Sequence, residues 1–194
     1  MKLAIFGGTF DPIHAAHLAA AREAAARFRL DRVLLIPAAQ PPHKRDGAHA
    51  PYEDRVRMAE IACAGDPLLE VSRIEEGTAR SYSIDTIEKV RAGMSAADDL
   101  YFIIGADAFA EIGTWHRWQD VASAVTFLVV SRPGFAYSAP EGVKFQPLET
   151  VVLDVSSSAI RRALAAGERP ASLAPAVLAY ILEHRLYGVP ATWR

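Results

Sequence analysis

Gly7-Gly8-Thr9-Phe10-Asp11-Pro12-Ile13-His14-Ala15-Ala16-His17 stands between an apolar run at residues 3–6 and a helical pattern that opens at Ala15. A short apolar strand that leads through a glycine-rich turn into a helix is the opening unit of an α/β fold. Adjacent glycines let the backbone bend tightly and let a ligand approach without a Cβ in the way. The helix start beyond them offers unpaired N–H groups and a positive dipole end to an anion. His14 and His17 are three residues apart, so one helical turn places both imidazoles on one side, where they can gain charge as an anion requires. Asp11 and Pro12 also have a plain structural reading, the aspartate as N-cap and the proline in the first turn. A metal site of Asp11, His14 and His17 is a further chemistry that this spacing allows. The chain has neither G-x-x-x-x-G-K-[ST] nor G-x-G-x-x-G, which sets aside a P-loop and a standard dinucleotide fingerprint.

Outward from this turn, strands and helices alternate. Apolar runs at residues 33–37, 69–72, 100–104 and Thr126–Ser131 read as further strands, most of them apolar throughout, as in a sheet covered on both faces. Between them Ala15–Phe28, Tyr52–Cys63 and residues 83–91 carry apolar residues at three- and four-residue spacing, and residues 107–112 suggest a shorter helix. The expected fold is therefore a doubly wound, mainly parallel α/β sheet of Rossmann-like type. Residues 38–51 and 133–147 are proline-rich interruptions, the second leading to a last strand at 151–155. Helices at 156–166 and 175–186 follow. The whole of 1–194 reads as one domain, with 156–194 its small C-terminal helical part.

Composition narrows the function classes. Hydrophobic residues make up 51% and charged residues 23%, which excludes a disordered chain. Lys and Arg number 21 against 23 acidic residues, a net charge of −2, so no basic excess points to nucleic acid and an anionic ligand needs a local cluster. Cys63 is the one cysteine, which excludes a disulfide framework and a Cys-rich zinc site. The first apolar run is too short for a secretory signal, and nothing approaches the roughly 18 apolar residues of a membrane span. These features lead to the expectation of a cytoplasmic protein without membrane or nucleic-acid partners, monomer or homo-oligomer left open.

Four later stretches carry chemistry of their own. Gln40-Pro41-Pro42-His43-Lys44 is a stiffened loop with a cationic tip near the sheet's carboxyl edge, where α/β ligands bind. In Arg80-Ser81-Tyr82-Ser83, Ser83 or Ser81 suits an N-cap and Tyr82 suits either a site or the core. Gly105 and Asp107 follow the fourth strand, where a carboxylate can accept from both hydroxyls of a ribose; Trp115 and His116 lie just beyond, and an indole suits a flat heteroaromatic ring. Ser156 suits an N-cap, and Ser158 and Arg161 share one side of the helix it opens, so N–H groups, a hydroxyl and a guanidinium converge on one phosphate group.

Gly-Gly-Thr-Phe-Asp-Pro-Ile-His-x-x-His resembles the signature of the nucleotidylyltransferase superfamily, and Val155-Ser156-Ser157-Ser158-Ala159-Ile160-Arg161 resembles its second signature. The resemblance spans nearly the whole chain and is nearest to the bacterial nicotinate-mononucleotide adenylyltransferases. Ala16 stands where that pattern has glycine. The resemblance implies adenylyl transfer from ATP to nicotinate mononucleotide in NAD biosynthesis, with Mg²⁺ carried between phosphates and no metal cage in the protein. It implies an ATP site of Gly7, Gly8, Thr9, Phe10, His14, His17, Gly105, Asp107, Ser156, Ser158 and Arg161, with Asp107 on the adenosine ribose. It implies a substrate site of Ala39, His43, Lys44, Ser81, Tyr82, Ser83, Trp115 and His116, although Ala38 and Ala39 replace the usual asparagine. His14, His17, Lys44 and Arg161 are the implied catalytic groups. Pantetheine-phosphate adenylyl transfer, metal-dependent hydrolysis and non-catalytic nucleotide binding are the alternatives.

Overall fold

Alternate residues of the central strands enter two separate cores, which is what a sheet covered on both faces requires. The structure is a computed structural model and describes residues 1–40, 48–131, 137–149, 155–191 and 193. Its strands are β1 (Lys2–Gly8), β2 (Arg32–Pro37), β3 (Leu69–Val71), β4 (Asp99–Gly105), β5 (Thr126–Ser131) and β6 (Phe145–Glu149). They form one sheet in the order β3-β2-β1-β4-β5-β6, parallel at every pairing. The helices are α1 (Ala15–Phe28), α2 (Tyr52–Cys63), α3 (Ser83–Ala92), α4 (Ala106–Ala110), α5 (Trp118–Ala124), α6 (Ser157–Ala165) and α7 (Pro175–Glu183).

Ala4, Val33, Leu35, Ile103 and Leu128 face the core built with α1, α2, α6 and α7. Ile5, Ile36, Phe102, Ile104, Phe127 and Val129 face the opposite core, built with α3, α4 and α5. Strand order reverses between β1 and β4, so the crevice past their carboxyl ends is the place where a fold of this class receives its ligand.

Three expectations change. Gly7 and Gly8 are not the turn: they are the last residues of β1, in register with Ile36 and Pro37. The reversal falls instead on Phe10, whose φ of 48° is in the left-handed region. Its ring folds back over Gly8 so closely that a Cβ there would meet it at 3.0 Å. The last strand expected at 151–155 lies outside the described residues except for Val155, which is not in a strand. The sixth strand is Phe145–Glu149, which overlaps the end of the expected irregular link; it runs along the sheet edge, where Pro147 is tolerated and only Leu148 is buried. Finally, α5 forms where no helix was foreseen, led by Arg117 in the left-handed region.

The ends of the central strands are held by one side chain of α2. Arg55 is 1% exposed. Its Nε donates to the Ala50 carbonyl at 3.1 Å, and its Nη1 to the carbonyls of Thr9 and Ala38, each at 2.8 Å. Thr9 follows β1, Ala38 follows β2, and Ala50 leads into α2. Burial lowers the pKa of this guanidinium, and the neighbouring Asp11 charge works against that shift. Arg55→Met should lower stability by about 3–5 kcal/mol, since it strands three buried carbonyls and removes a buried charge. Arg55→Lys should recover little, because an ammonium lacks the fork that serves three directions. Urea unfolding midpoints at unchanged slope measure both.

Candidate active site

The corner past β1 is assembled from side chains of α1, α6 and the C-terminal turn. His14, extended at φ −149°, is the N-cap of α1, and its backbone N–H donates to His17 Nδ1 at 3.2 Å. Asp11 is therefore not the cap. The two imidazoles stack at 3.8 Å between centroids, and Phe10 meets His17 edge-on at 5.1 Å. Because Nδ1 of His17 accepts, the proton of its neutral ring belongs on Nε2, a donor free to face a ligand. Nδ1 of His14 is buried without a hydrogen-bond partner.

Burial lowers the His14 pKa to about 4 and the His17 pKa to about 3, the latter also by repulsion from His14. The expectation that this pair takes up charge freely is thus corrected: both rings are neutral at pH 7 in the free protein. Desolvation is the reason, since neither ring has a carboxylate partner.

Asp11 has other work. It is 1% exposed, and its carboxylate accepts from the backbone N–H groups of His49 at 2.8 Å and Ala50 at 3.0 Å and from the Tyr187 hydroxyl at 2.9 Å. Burial raises its pKa, but these bonds and Arg161 outweigh burial, and the net shift is downward. Those partners lie far off in the chain, and for that reason an aspartate before proline resembled a local cap. Both oxygens of the carboxylate are thus taken up by donors, which argues against a ligand set of Asp11, His14 and His17. Among the described residues no three His, Cys, Asp or Glu side chains group as metal ligands would.

The helix α6 meets this corner from the other side. Ser156 is its N-cap, accepting from the Ala159 N–H at 3.2 Å. Arg161 Nη1 donates to the Asp11 carbonyl at 2.7 Å, and its Nη2 donates to Ser158 Oγ at 3.2 Å. Ser157 Oγ donates to the Pro12 carbonyl at 3.1 Å, a tie that the serine run did not reveal. Histidines near residue 14 and an arginine near residue 160 thus share one site.

The second half of the crevice lies at the start of α3. Tyr82, not Ser81 or Ser83, is the N-cap, and no side chain caps the helix. Ser81 Oγ accepts from the Gln40 N–H at 3.0 Å instead. The Tyr82 and His116 rings lie 4.4 Å apart, tilted by 33°, and Trp115 stands edge-on to Phe102 at 6.0 Å. Trp118 packs against the core on this side of the sheet. A cavity of about 550 Å³ opens here, lined in part by Glu75, Arg80, Ser81, Tyr82 and Thr86. Gly105 ends β4 and Asp107 lies in the first turn of α4, both exposed at the crevice. His43 and Lys44 lie outside the described residues. Arg55, Glu75 and Tyr187 are supporting residues that sequence reasoning missed; for Arg55 alone a signal existed, a charged residue inside the apolar stripe Val56, Met58, Ala59.

Fold and site together are those of a nucleotidyltransferase: residues 5–163 match the cytidylyltransferase-like family model. A probable nicotinate-nucleotide adenylyltransferase of Solibacter usitatus is 68% identical over 97% of this chain and 100% of its own length. One from Pelobacter propionicus is 41% identical over 97% of this chain and 99% of its own. The solved nicotinic acid mononucleotide adenylyltransferase of Plasmodium falciparum complexed with NaAD superposes with a TM-score of 0.79 at 18% identity, over 97% of this chain and 98% of that one. The chain belongs to the nicotinate-nucleotide adenylyltransferases of the cytidylyltransferase-like family.

The neutral histidine pair makes stability depend on pH. An unfolded histidine binds its proton near pH 6.5, whereas these two release theirs only near 4 and 3 when folded. From pH 6.5 down to about 4 the unfolded chain therefore holds more protons, and stability falls with acidification by about 1.4 kcal/mol per pH unit at first and up to about 2.5 near pH 5. The depressed Asp11 adds a separate loss that begins only below about pH 4. Urea unfolding at pH 7, 5.5 and 4.5 should show the first decline, and His17→Asn should roughly halve it, leaving the His14 share.

Proposed function

We propose that this chain transfers the adenylyl group of ATP to the 5′-phosphate of nicotinate mononucleotide, releasing pyrophosphate and forming nicotinate adenine dinucleotide. The observation that carries this reading is the joint between the two phosphate-binding elements. Through Asp11, the start of α1 with His14 and His17 is bonded to Arg161 and Ser158 of α6. The relatives' names and the neighbour solved with NaAD support the choice of substrates.

In the reaction an oxygen of the mononucleotide phosphate forms a bond to the α-phosphorus of ATP, while the bond from that phosphorus to the pyrophosphate oxygen breaks. The nucleophile is mostly dianionic at neutral pH, so no general base is needed. What remains is alignment and stabilisation of charge on the α-phosphoryl oxygens and the leaving group. His17 supplies a neutral Nε2–H donor that is already desolvated and oriented by the His14 backbone. Arg161 keeps N–H groups beyond its two internal bonds for phosphate oxygens. Lys44 is the further cation proposed for the phosphates, with His43 and Ala39 beside the mononucleotide. Gly7, Gly8, Thr9 and Phe10 line the approach to ATP, and Asp107 is proposed for the adenosine ribose. Mg²⁺ enters as part of the ATP substrate, held by phosphate oxygens. The chain is proposed to act as one domain, 1–194, with 156–194 contributing the Arg161 side, and to work in the cytoplasm.

For the pyridine ring we assign the wall formed by Tyr82, His116 and Trp115. The first N–H groups of α3, at Ser83 and Ile84, have no bond among the described residues, whereas the Tyr82 carbonyl accepts from Asp85 and Thr86 at 3.1 and 3.3 Å. Free donors at a helix start favour a carboxylate over an amide, whose own N–H₂ would face them.

Pyrophosphate release from ATP over a panel of phosphate acceptors tests the reading. Nicotinate mononucleotide should exceed nicotinamide mononucleotide by at least ~100-fold in kcat/KM, and similar values for the two would discard this pocket. His17→Ala should lower kcat by ~100-fold or more with little change in folding, the scale of one lost charge-stabilising donor. A kcat close to that of the unaltered enzyme would leave His17 a structural role only.

A further inference from the structure

A buried carboxylate with no cation hydrogen-bonded to it is costly to keep, so its partners indicate what it is kept for. Glu75, between β3 and α3, is 6% exposed, and among the described residues the two hydrogen-bond partners of its carboxylate are neutral. Oε1 accepts from the Thr86 hydroxyl at 2.6 Å, and Oε2 accepts from the Ala39 N–H at 3.2 Å. Thr86 is in the first turn of α3, and Ala39 is two residues past the end of β2. One side chain therefore joins the two walls of the half-site assigned above to the mononucleotide. A second, outer link runs parallel to it: Gln40 N–H donates to Ser81 Oγ at 3.0 Å, and Ser81 N–H donates to the Gln40 carbonyl at 3.1 Å.

We infer that Glu75 is a positioning residue for the pyridine mononucleotide. It sets the rotation of the α3 start, and with it the aim of the Ser83 and Ile84 N–H groups, relative to the loop after β2. Ile84 and Ile87 seat the helix on the core, but the α3 start has no side-chain cap among the described residues to tie its first turn to the loop after β2. Thr86 is gripped from outside the helix instead, by an acceptor that backbone Ala39 holds in turn. A carboxylate suits this task because it presents acceptors to two donors at once, one of them a backbone N–H that cannot reverse. Glutamine can keep both links only if its amide donates to Thr86 and the threonine hydroxyl turns to the Tyr82 carbonyl, already 3.4 Å away.

The inference rests on the proposed substrate, and steady-state kinetics of Glu75→Ala, Glu75→Gln and Thr86→Val test it, with each substrate varied at saturation of the other. Glu75→Ala should raise the KM for nicotinate mononucleotide at least about tenfold, while kcat and the KM for ATP stay within about twofold, the pattern of lost binding that is uniform along the reaction. Glu75→Gln should restore most of that loss, to within about threefold of the parent. If Glu75→Ala does not fold, Thr86→Val cuts the same link and should raise the same KM about three- to tenfold. A merely structural brace would lower thermal stability and leave this split between the two KM values unmoved. A mononucleotide KM within twofold of the parent in the folded variants, or both KM values rising alike, overturns the role of Glu75. An unaltered enzyme that releases no pyrophosphate with nicotinate mononucleotide overturns the substrate reading instead.

Discussion

A single guanidinium, buried at the N-terminal end of α2, reaches three carbonyls that belong to three different connections. Each of those carbonyls ends a segment that the sheet alone would leave loose: the turn after β1, the loop after β2 and the entry to α2. Carbonyls in such positions need donors, and no strand or helix can provide them there. Arg55 does so with a group whose five N–H bonds have fixed directions, so the three segments are set relative to one another as well as satisfied. The negative counterpart, Asp11, is taken up by N–H groups of His49 and Ala50 from the same region. The corner is thus positioned by two buried, oppositely charged groups, each held by hydrogen bonds to the segments around it.

The ionisable groups of the corner differ in what surrounds them. His14 and His17 stack on each other and are neutral. Arg161 reaches in from α6 and is held by a backbone carbonyl and a serine hydroxyl instead of a carboxylate at close range; its nearest approach to the Asp11 carboxylate is 3.9 Å. A tight ion pair there would compete with a phosphate for the guanidinium. Satisfying Asp11 with backbone and tyrosine donors leaves Arg161 available.

Local signals were legible in the sequence and long-range ones were not. Ala15–Phe28 and Tyr52–Cys63 run between the residues that spacing alone indicates, because each is amphipathic over several turns. The first turn and the Ser156–Arg161 stretch stood out because each gathers its glycines, histidines, serines and arginine within a few residues, and the structure bonds the two stretches together through Arg161 and the Asp11 carbonyl. The edge strand β6 was hidden by its proline and by exposed alternate positions, since apolar periodicity marks only strands that are covered. Asp11, Glu75 and Tyr187 escaped for a related reason. Their roles are defined by partners 11 to 176 residues away, and no local pattern distinguishes such a residue from an ordinary cap, surface acid or core aromatic.

The bond from Tyr187 to Asp11 has a bearing on biosynthesis. It joins a turn near the end of the chain to the first loop, and Tyr187 holds a left-handed backbone, φ 59°, to make it. A ribosome that has completed β1 to β5 has made five of the six described strands, yet Asp11 still lacks its Tyr187 donor and the Arg161 side of the corner does not exist. The two sides of the corner are thus joined by segments some 150 and 176 residues apart in the chain, and the corner takes its described form once the turn at Tyr187 has docked on the first loop.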